Sequence, residues 1–227
     1  SIRQTPGGLP ENHVFALLES STGPGRSTYW FGTYGGGLAA LSEGRWKVIS
    51  EVAGHPMTSV RCLAQTALGD LWVGTVRQGL FRRQGGRWER VPVPARLARA
   101  EWRQLVEIRG RLWAATSEGL ACLQGTAWKV WTAADGLPHG DVNRILETRS
   151  PDGRYTLWVG TGGGGLGRLD GDRWTRIGPA QGLEALWIMD LFLRQDAQGH
   201  PQIWVCTAGG GIWTLDLAGN PGRPEAP

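Results

Sequence analysis

A run of four glycines is the feature of this sequence that most resembles a chemical motif. The run occupies residues 162–165 within LWVGTGGGGLGRLDGDRW, and it could hold a phosphate group or form a tight turn between two strands. A phosphate loop needs a Lys-Ser/Thr pair and a helix directly after the glycines. Leu166, Gly167 and Arg168 follow instead, and the next residues do not form an amphipathic helical pattern. The sequence therefore favours the turn.

Three carboxylates provide a second candidate chemistry. Glycoside hydrolysis requires two carboxylates on either side of the scissile bond. Glu101, Glu118 and Asp141 occupy related places in successive segments of the chain and could approach one another on one face. Each is also a common turn residue. A glycosidase or lyase thus stays an alternative, and no catalytic residue is assigned.

Cysteines and histidines do not form a recognisable metal or redox motif. The chain has neither CxxC nor HExxH, and its four histidines are far apart in sequence. Two of them, His13 and His139, stand at related places before a strand. We predict no metal site and no cofactor. The three cysteines lie in apolar strand contexts and are predicted to be buried thiols: Cys62, Cys122 and Cys206.

The glycine run belongs to a repeat that covers the whole chain. Similar segments open with a tryptophan every 41 to 46 residues, and a second tryptophan follows 15 or 16 residues later in the first four repeats. The leading tryptophans are Trp30, Trp72, Trp113, Trp158 and Trp204, and the second ones are Trp46, Trp88, Trp128 and Trp174. A period of this length is typical of four-stranded propeller blades or of helix pairs.

The secondary-structure propensities of the repeat favour four-stranded blades over helix pairs. Each repeat has a β-rich segment, the leading-Trp segment, a glycine turn, a third apolar segment and a segment at the second Trp. The chain has 36 glycines, a poor composition for helix pairs. We therefore predict an all-β propeller of five four-stranded repeats. The predicted repeats span residues 9–50, 55–95, 100–132, 137–178 and 183–217, with a further fourth strand at 1–5 and a flexible tail at 218–227.

The repeat also predicts roles for its tryptophans and glycines. The leading tryptophans should fill the wedge between neighbouring blades. Gly32, Gly74 and Gly160 follow two residues after a leading Trp and should leave room for such a ring. The glycine runs 35–37, 163–165 and 209–211 should form the hairpins between the second and third strands, because those turns need a positive φ.

Composition limits the partners. The net charge is +4, and the basic residues are dispersed over turns and strand edges instead of forming a stripe. We therefore predict no nucleic-acid partner. No run of eighteen apolar residues is present, which predicts no direct insertion into a membrane.

The repeat pattern resembles that of the two-component-regulator propeller family. GLPENHV at 8–14 and GLPHGDV at 136–142 match the opening of that repeat, and LWVGT at 71–75 and 157–161 matches its core. In this family the propeller is the extracytoplasmic sensor of bacterial hybrid histidine kinases or diguanylate cyclases, and many members are thought to respond to glycans. The resemblance implies a periplasmic or extracellular location and a membrane-linked signalling module. Seven blades are usual in the family, so five repeats could close a ring of their own or form an arc of a larger propeller.

The side chains that differ between repeats predict a binding face. In a propeller, the linker before the first strand and the turn after the second strand emerge on the same face, and scaffold proteins place their sites on such connections. Aromatic residues there could stack on a sugar, while polar ones bind its hydroxyl groups. The candidate ligand-binding residues are His13, Tyr34, Arg77, Trp102, Glu118, Asp141 and Trp187. For Trp102 and Trp187, packing between blades is the alternative.

These observations predict a non-enzymatic, ligand-sensing propeller that binds a carbohydrate or another small molecule. A five-bladed lectin and a protein-interaction scaffold are the alternatives.

Overall fold

The protein is all-β, as predicted. The computed structural model describes residues 8–23, 26–150, 152–196, 198–218 and 220. Their strands form five antiparallel sheets, called blades 1 to 5 in chain order, and one short hairpin. The predicted fourth strand at 1–5 and most of the predicted tail lie outside the described residues.

The first two blades each have four strands. Blade 1 contains β1 (Val14–Gly23), β2 (Arg26–Thr33), β3 (Gly37–Ser42) and β4 (Arg45–Ile49). The short hairpin that follows, which the sequence pattern did not predict, consists of β5 (Glu51–Val52) and β6 (His55–Pro56). Blade 2 contains β7 (Val60–Gln65), β8 (Leu71–Thr75), β9 (Leu80–Gln84) and β10 (Arg87–Val91).

The remaining blades repeat this order, except that blade 5 has three strands among the described residues. Blade 3 contains β11 (Trp102–Ile108), β12 (Arg111–Thr116), β13 (Gly119–Gln124) and β14 (Ala127–Trp131). Blade 4 contains β15 (Val142–Arg149), β16 (Tyr155–Thr161), β17 (Leu166–Asp170) and β18 (Arg173–Ile177). Blade 5 contains β19 (Ile188–Gln195), β20 (Pro201–Thr207) and β21 (Ile212–Asp216).

The chain divides into two compact units. Unit 1 comprises residues 1–114 and 122–128, and unit 2 comprises residues 115–121 and 129–227. Blades 1 and 2 therefore belong to unit 1, and blades 4 and 5 belong to unit 2. The boundary passes through blade 3.

The leading tryptophans fill the wedge between neighbouring blades, as predicted for Trp30 and Trp158. Trp30 of blade 1 joins a buried cluster with Val60, Val73 and Phe81 of blade 2. In unit 2, Trp158 of blade 4 is fully buried in a cluster with residues of blade 5. In these two pairs of blades the large ring is buried against the next sheet and contributes to the apolar contact between them.

The glycine two residues after a leading Trp makes room for the next blade, but mostly not for a ring. A Cβ atom on Gly32 would lie 2.6 Å from Cγ1 of Val60, and one on Gly160 would lie 2.6 Å from Cγ2 of Ile188. At Gly74 the neighbour is an aromatic residue, because the added Cβ would lie 2.6 Å from the Cβ of Trp102. The space is thus filled by the first residue of the next blade's first strand, which corrects the prediction.

The linkers between blades are held by buried apolar side chains. Three of these linkers contain a single 3₁₀ turn, at Ala95–Leu97, Ala133–Asp135 and Pro179–Gln181. In the described part of the chain these turns are the only helices, and none is long and apolar enough to cross a membrane. The buried linker residues are Leu9, Met57, Leu97, Leu137 and Leu183. Leu9 and Leu137 are the leucines of GLPENHV and GLPHGDV, so their burial explains why leucine follows glycine there.

The cysteines only partly follow their prediction. Cys62 and Cys122 are buried thiols, as expected. Cys206 is half-buried, and its burial, with the nearby Asp190 carboxylate, raises the pKa of its thiol.

Candidate functional site

The turn after the second strand and the linker before the first strand lie side by side in each unit. In blades 1, 2, 4 and 5 the backbone N–H of the first turn residue donates to the carbonyl of the last linker residue of the same blade. The pairs are Tyr34 to His13 (3.0 Å), Val76 to Ser59 (2.9 Å), Gly162 to Asp141 (2.8 Å) and Ala208 to Trp187 (2.9 Å). The prediction that these connections share a face is confirmed for blades 1, 2, 4 and 5.

The same turns also bond to the linker of the next blade. The N–H of Gly37 donates to the carbonyl of Thr58 at 2.7 Å, and that of Arg77 donates to Ala100 at 3.2 Å. In unit 2 the N–H groups of Gly163 and Gly165 both donate to Leu186, at 3.2 and 2.9 Å. Each unit therefore presents a continuous hydrogen-bonded belt of alternating turns and linkers, and side chains on this belt have a rigid base.

A threonine at the end of each second strand fixes the turn. Its hydroxyl donates to the carbonyl of the glycine that starts the third strand or directly precedes it. The pairs are Thr33 with Gly37 (2.8 Å), Thr75 with Gly79 (2.6 Å), Thr116 with Gly119 (2.7 Å), Thr161 with Gly165 (2.7 Å) and Thr207 with Gly211 (2.9 Å). Sequence reasoning missed this role, although the signal was present because threonine holds the position in all five repeats.

Removing one such hydroxyl should destabilise the fold measurably. Thr161 is fully buried, and its oxygen also accepts the N–H of Gly164 at 3.0 Å. We expect Thr161→Val to lower the free energy of unfolding by about 1–3 kcal/mol, because the Gly164 N–H loses its partner in a dry turn and the Gly165 carbonyl loses one of its two donors. Guanidinium denaturation followed by tryptophan fluorescence measures this. Thr161→Ser keeps the hydroxyl, and an equal loss in both variants would contradict the hydrogen-bond explanation.

The glycine run at 162–165 is a turn, which resolves the question that the motif raises. Gly163 and Gly165 have φ values of 119° and 83°, as the turn requires. Gly164 is needed for a different reason, since a Cβ there would lie 2.6 Å from the Pro138 carbonyl oxygen. The linker crosses directly over the middle glycine, and strand β17 follows the run, so the geometry is that of a hairpin and not of a phosphate loop.

The blade 2 turn departs from this pattern at two positions. Gln78 replaces the middle glycine, and its Oε1 accepts the N–H groups of Thr58 and Ser59 at 2.8 and 3.0 Å. Its Nε2 donates to the Thr58 hydroxyl at 2.7 Å. Arg77 replaces the first glycine and keeps a positive φ of 63°. The turn is therefore fastened to the linker by a side chain and carries an exposed arginine in an unfavourable backbone conformation.

An aromatic and charged cluster lies on the belt of unit 1. Tyr34 and Phe15 are 54% and 44% exposed, and their rings meet edge to face with centroids 5.6 Å apart. The guanidinium carbon of Arg61 lies 4.7 Å from the Phe15 ring centroid, and its Nε lies 3.2 Å from Oε1 of Glu101. Glu101 also pairs with Arg103 at 3.6 Å. Side chains from blades 1, 2 and 3 thus form one connected group.

Sequence reasoning missed Phe15 and Arg61. Each lies at a register shift at the second residue of a first strand, between Val14 and Ala16 or between Val60 and Cys62. A β-bulge re-aims the side chain that it carries. The alternation of apolar residues alone gives no indication of such a shift.

Two other predicted binding residues of unit 1, His13 and Trp102, differ in their exposure. The side chain of His13 is 79% exposed and lies 3.3 Å from the Glu11 carboxylate. Backbone hydrogen bonds from Asn12 and His13 lower the pKa of that carboxyl group. Trp102 is fully buried and packs edge to face on Trp128 at 5.7 Å, so its ring is closed to a ligand. The prediction that Trp102 stacks on a ligand is therefore wrong, and the packing alternative is correct.

In unit 2 the structure brings Asp141 and Trp187 together at Gly162. The Gly162 N–H donates to the Asp141 carbonyl, and its backbone pairs with that of Trp187. Trp187 is 49% exposed. The ring nitrogen Nδ1 of His139 accepts the N–H of Asp141 at 3.1 Å. Glu118 is exposed in the blade 3 turn, where its N–H donates to the Thr116 hydroxyl at 3.1 Å.

The described part of the belt holds no cluster of metal-binding side chains. Within the described ranges no three His, Cys, Asp or Glu residues come close enough to hold a metal ion. A cavity of about 670 Å³ lies at the other end of the blade 4 strands, and none of the predicted residues lines it. Its lining includes Arg154, Tyr155, Arg168 and Asp170.

Solved structures with a similar backbone include extracellular domains of bacterial signalling systems and a WD40 propeller. The chain matches the extracellular domain of the hybrid two-component system BT3049 from B. thetaiotaomicron with a TM-score of 0.75 and 21% identity, over 95% of this chain and 28% of that one. It matches the extracellular domain of the one-component system BT4673 from the same organism with a TM-score of 0.66 and 18% identity, over 94% and 30% of the two chains. The WD40 β-propeller domain of Doa1 gives a TM-score of 0.64 at 10% identity, over 93% and 68%. The fold is a β-propeller.

The comparisons show the fold and nothing finer. The chain spans less than a third of the two extracellular domains that it matches. No protein-family model matches the sequence, and no curated protein matches it either.

Proposed function

We propose that this propeller is the ligand-binding part of a bacterial signal receptor and that it senses a small molecule, such as a carbohydrate, without chemical conversion. The observation that carries the proposal is the contrast between the belt and its side chains. The threonines and hydrogen bonds of the belt repeat from blade to blade. The exposed side chains on it do not repeat, as expected when one scaffold presents one asymmetric site.

The similarity to extracellular sensor domains supports the same role. Two of the matched structures are extracellular portions of a two-component and a one-component system. From them we infer a periplasmic or extracellular location, together with a membrane-linked signalling module as partner. Further blades of the same receptor are a second expected partner.

The chemistry of the unit 1 cluster favours binding over catalysis. Tyr34 offers an exposed aromatic face of the kind that stacks on sugar rings. Glu101, one of the three candidate acids, is held between the guanidinium groups of Arg61 and Arg103. A carboxylate in such pairs serves to orient its neighbours, whereas glycoside hydrolysis needs two acids free to face the bond.

A binding screen with Tyr34→Ala tests the proposal. We expect an oligosaccharide or another small molecule to raise the melting temperature of the purified chain, and we expect Tyr34→Ala to weaken its binding about tenfold or more, because one stacking face is lost. Thermal shift over a glycan and metabolite library, followed by calorimetric titration of each hit, measures both.

The matched control is Tyr155→Ala. Tyr155 is 40% exposed and lines the cavity at the other end of blade 4. Ligand binding should be unchanged in this variant. Equal losses in both variants, or turnover of the ligand during the titration, would contradict a sensing site on the belt.

Exposed apolar residues favour a protein-interaction scaffold as the second candidate. Met189, Phe192 and Leu193 of β19 are 52%, 47% and 47% exposed. Apolar surface of this kind often marks a contact with another protein or another blade. A screen without small-molecule hits on a cooperatively folded protein would shift weight to this alternative.

A further inference from the structure

Arg77 has a positive φ at a turn position where three of the other four blades have glycine. The corresponding residues Gly35, Gly163 and Gly209 have φ values of 95°, 119° and 84°, and Arg77 has 63°. For a residue with a long side chain this region is unfavourable, and such conformations persist only where the surroundings impose them. Gln78 imposes it here, because its three hydrogen bonds fasten the turn to the blade 2 linker.

The guanidinium group of Arg77 has no partner in the described part of the chain. Arg77 is exposed, and only its backbone N–H is engaged, by the carbonyl of Ala100. The nearest acid along the belt is Glu101, whose neighbour across the backbone is Val76. Glu101 already pairs with two arginines, Arg61 and Arg103, so this group of three side chains carries a net positive charge.

An aromatic face lies within reach of this charge. Tyr34 pairs with Ser59 across the belt, and the carbonyl of Ser59 accepts the N–H of Val76, next to Arg77. Two antiparallel backbone steps of about 5 Å each therefore separate Tyr34 from Val76. Arg77 directly follows Val76, so the side chains of Tyr34 and Arg77 start from backbone about 10 Å apart, a span that one sugar-sized ligand can bridge.

We propose that Arg77 is the anion-binding residue of the sensing site, and that the ligand carries an oxyanion beside a ring that stacks on Tyr34. The inference rests on the proposed function and adds the ligand class to it. An arginine binds a carboxylate or a sulfate through two parallel N–H groups, which gives the strained Arg77 a role that glycine could not fill. Gln78 is a positioning residue that presets the turn.

Titration of three related sugars tests the inference. The probes are D-glucuronate, D-glucose 6-sulfate and neutral D-glucose, followed by NMR at low and high salt. We expect the two anionic sugars to bind at least tenfold more tightly than glucose, with an affinity that falls as salt rises. Arg77→Asn and Arg77→Gly should remove this preference and should unfold at or above the wild-type temperature, because both residues accept a positive φ.

Arg87→Asn is the matched control, since it removes an equal charge from the exposed hairpin between β9 and β10. It should leave the preference intact. Equal binding of charged and neutral sugars, an equal loss in the Arg87 variant, or no binding of either anionic sugar would overturn the anion site. The first of these results would leave the sensing function supported, and the library screen with Tyr34→Ala judges that function separately. A preference for only one of the two anionic sugars over glucose would still support the anion site and would identify its group as a carboxylate or a sulfate.

Discussion

Trp158→Ala is expected to lower the free energy of unfolding by about 3–5 kcal/mol. The side chain is fully buried among Ile188, Leu191 and Ile203 of blade 5, so its removal leaves a cavity that the two sheets cannot close. The indole Nε1 also donates to the Thr148 hydroxyl at 2.8 Å, and that hydroxyl loses its partner. Guanidinium denaturation monitored by circular dichroism measures the change.

Two controls separate the contributions to this loss. Trp158→Phe keeps most of the apolar volume and loses the hydrogen bond, so we expect a smaller loss of about 1–3 kcal/mol. Trp187→Ala removes a half-exposed ring of the same type and should cost the fold far less. A loss for Trp158→Ala no greater than that for Trp187→Ala would show that the blade 4 wedge does not depend on this ring.

Gly74→Ala tests the close approach of blades 2 and 3. A Cβ there would lie 2.5 Å from the Sγ of Cys62 and 2.6 Å from the Cβ of Trp102, and both atoms sit in buried strands that cannot easily move. We expect a loss of about 1–3 kcal/mol from overpacking, and more if the blades separate. Near-ultraviolet circular dichroism should report the changed packing around Trp102, alongside the shift in the denaturation midpoint.

Gly140→Ala is the control for the extra methyl group. Nothing lies within 4 Å of a Cβ at Gly140, and its φ is outside the region reserved for glycine. This variant should be neutral or slightly more stable, because alanine restricts the unfolded chain. If Gly74→Ala were equally neutral, the narrow spacing of blades 2 and 3 would not be needed for stability.

The sequence alone predicted the five-bladed all-β fold, because the same pattern of strands and turns occurs five times in it. The β-rich segment of each repeat forms a first strand, and these strands begin at Val14, Val60, Trp102, Val142 and Ile188, each directly after a turn or linker. The positive φ values at Gly35, Gly37, Gly163 and Gly165 also follow from local chemistry. Strands and turns depend on neighbouring residues in the chain, and a repeated pattern averages out the ambiguity of any one segment.

What surrounds each side chain was decided only by the tertiary structure. Tryptophan is a residue type that stacks on sugars, yet Trp102 is fully buried. Blade 2 packs against it because Gly74 has no side chain to occupy that space. Phe15 and Arg61 belong to the exposed cluster because each lies at a β-bulge, and the alternation of apolar residues in the sequence does not indicate these bulges. The exposure of a side chain depends on the sheet that packs beside it, which often lies more than 40 residues away in the chain. The sequence therefore determined the strands and their turns, and the packing of the blades determined which side chains can face a ligand.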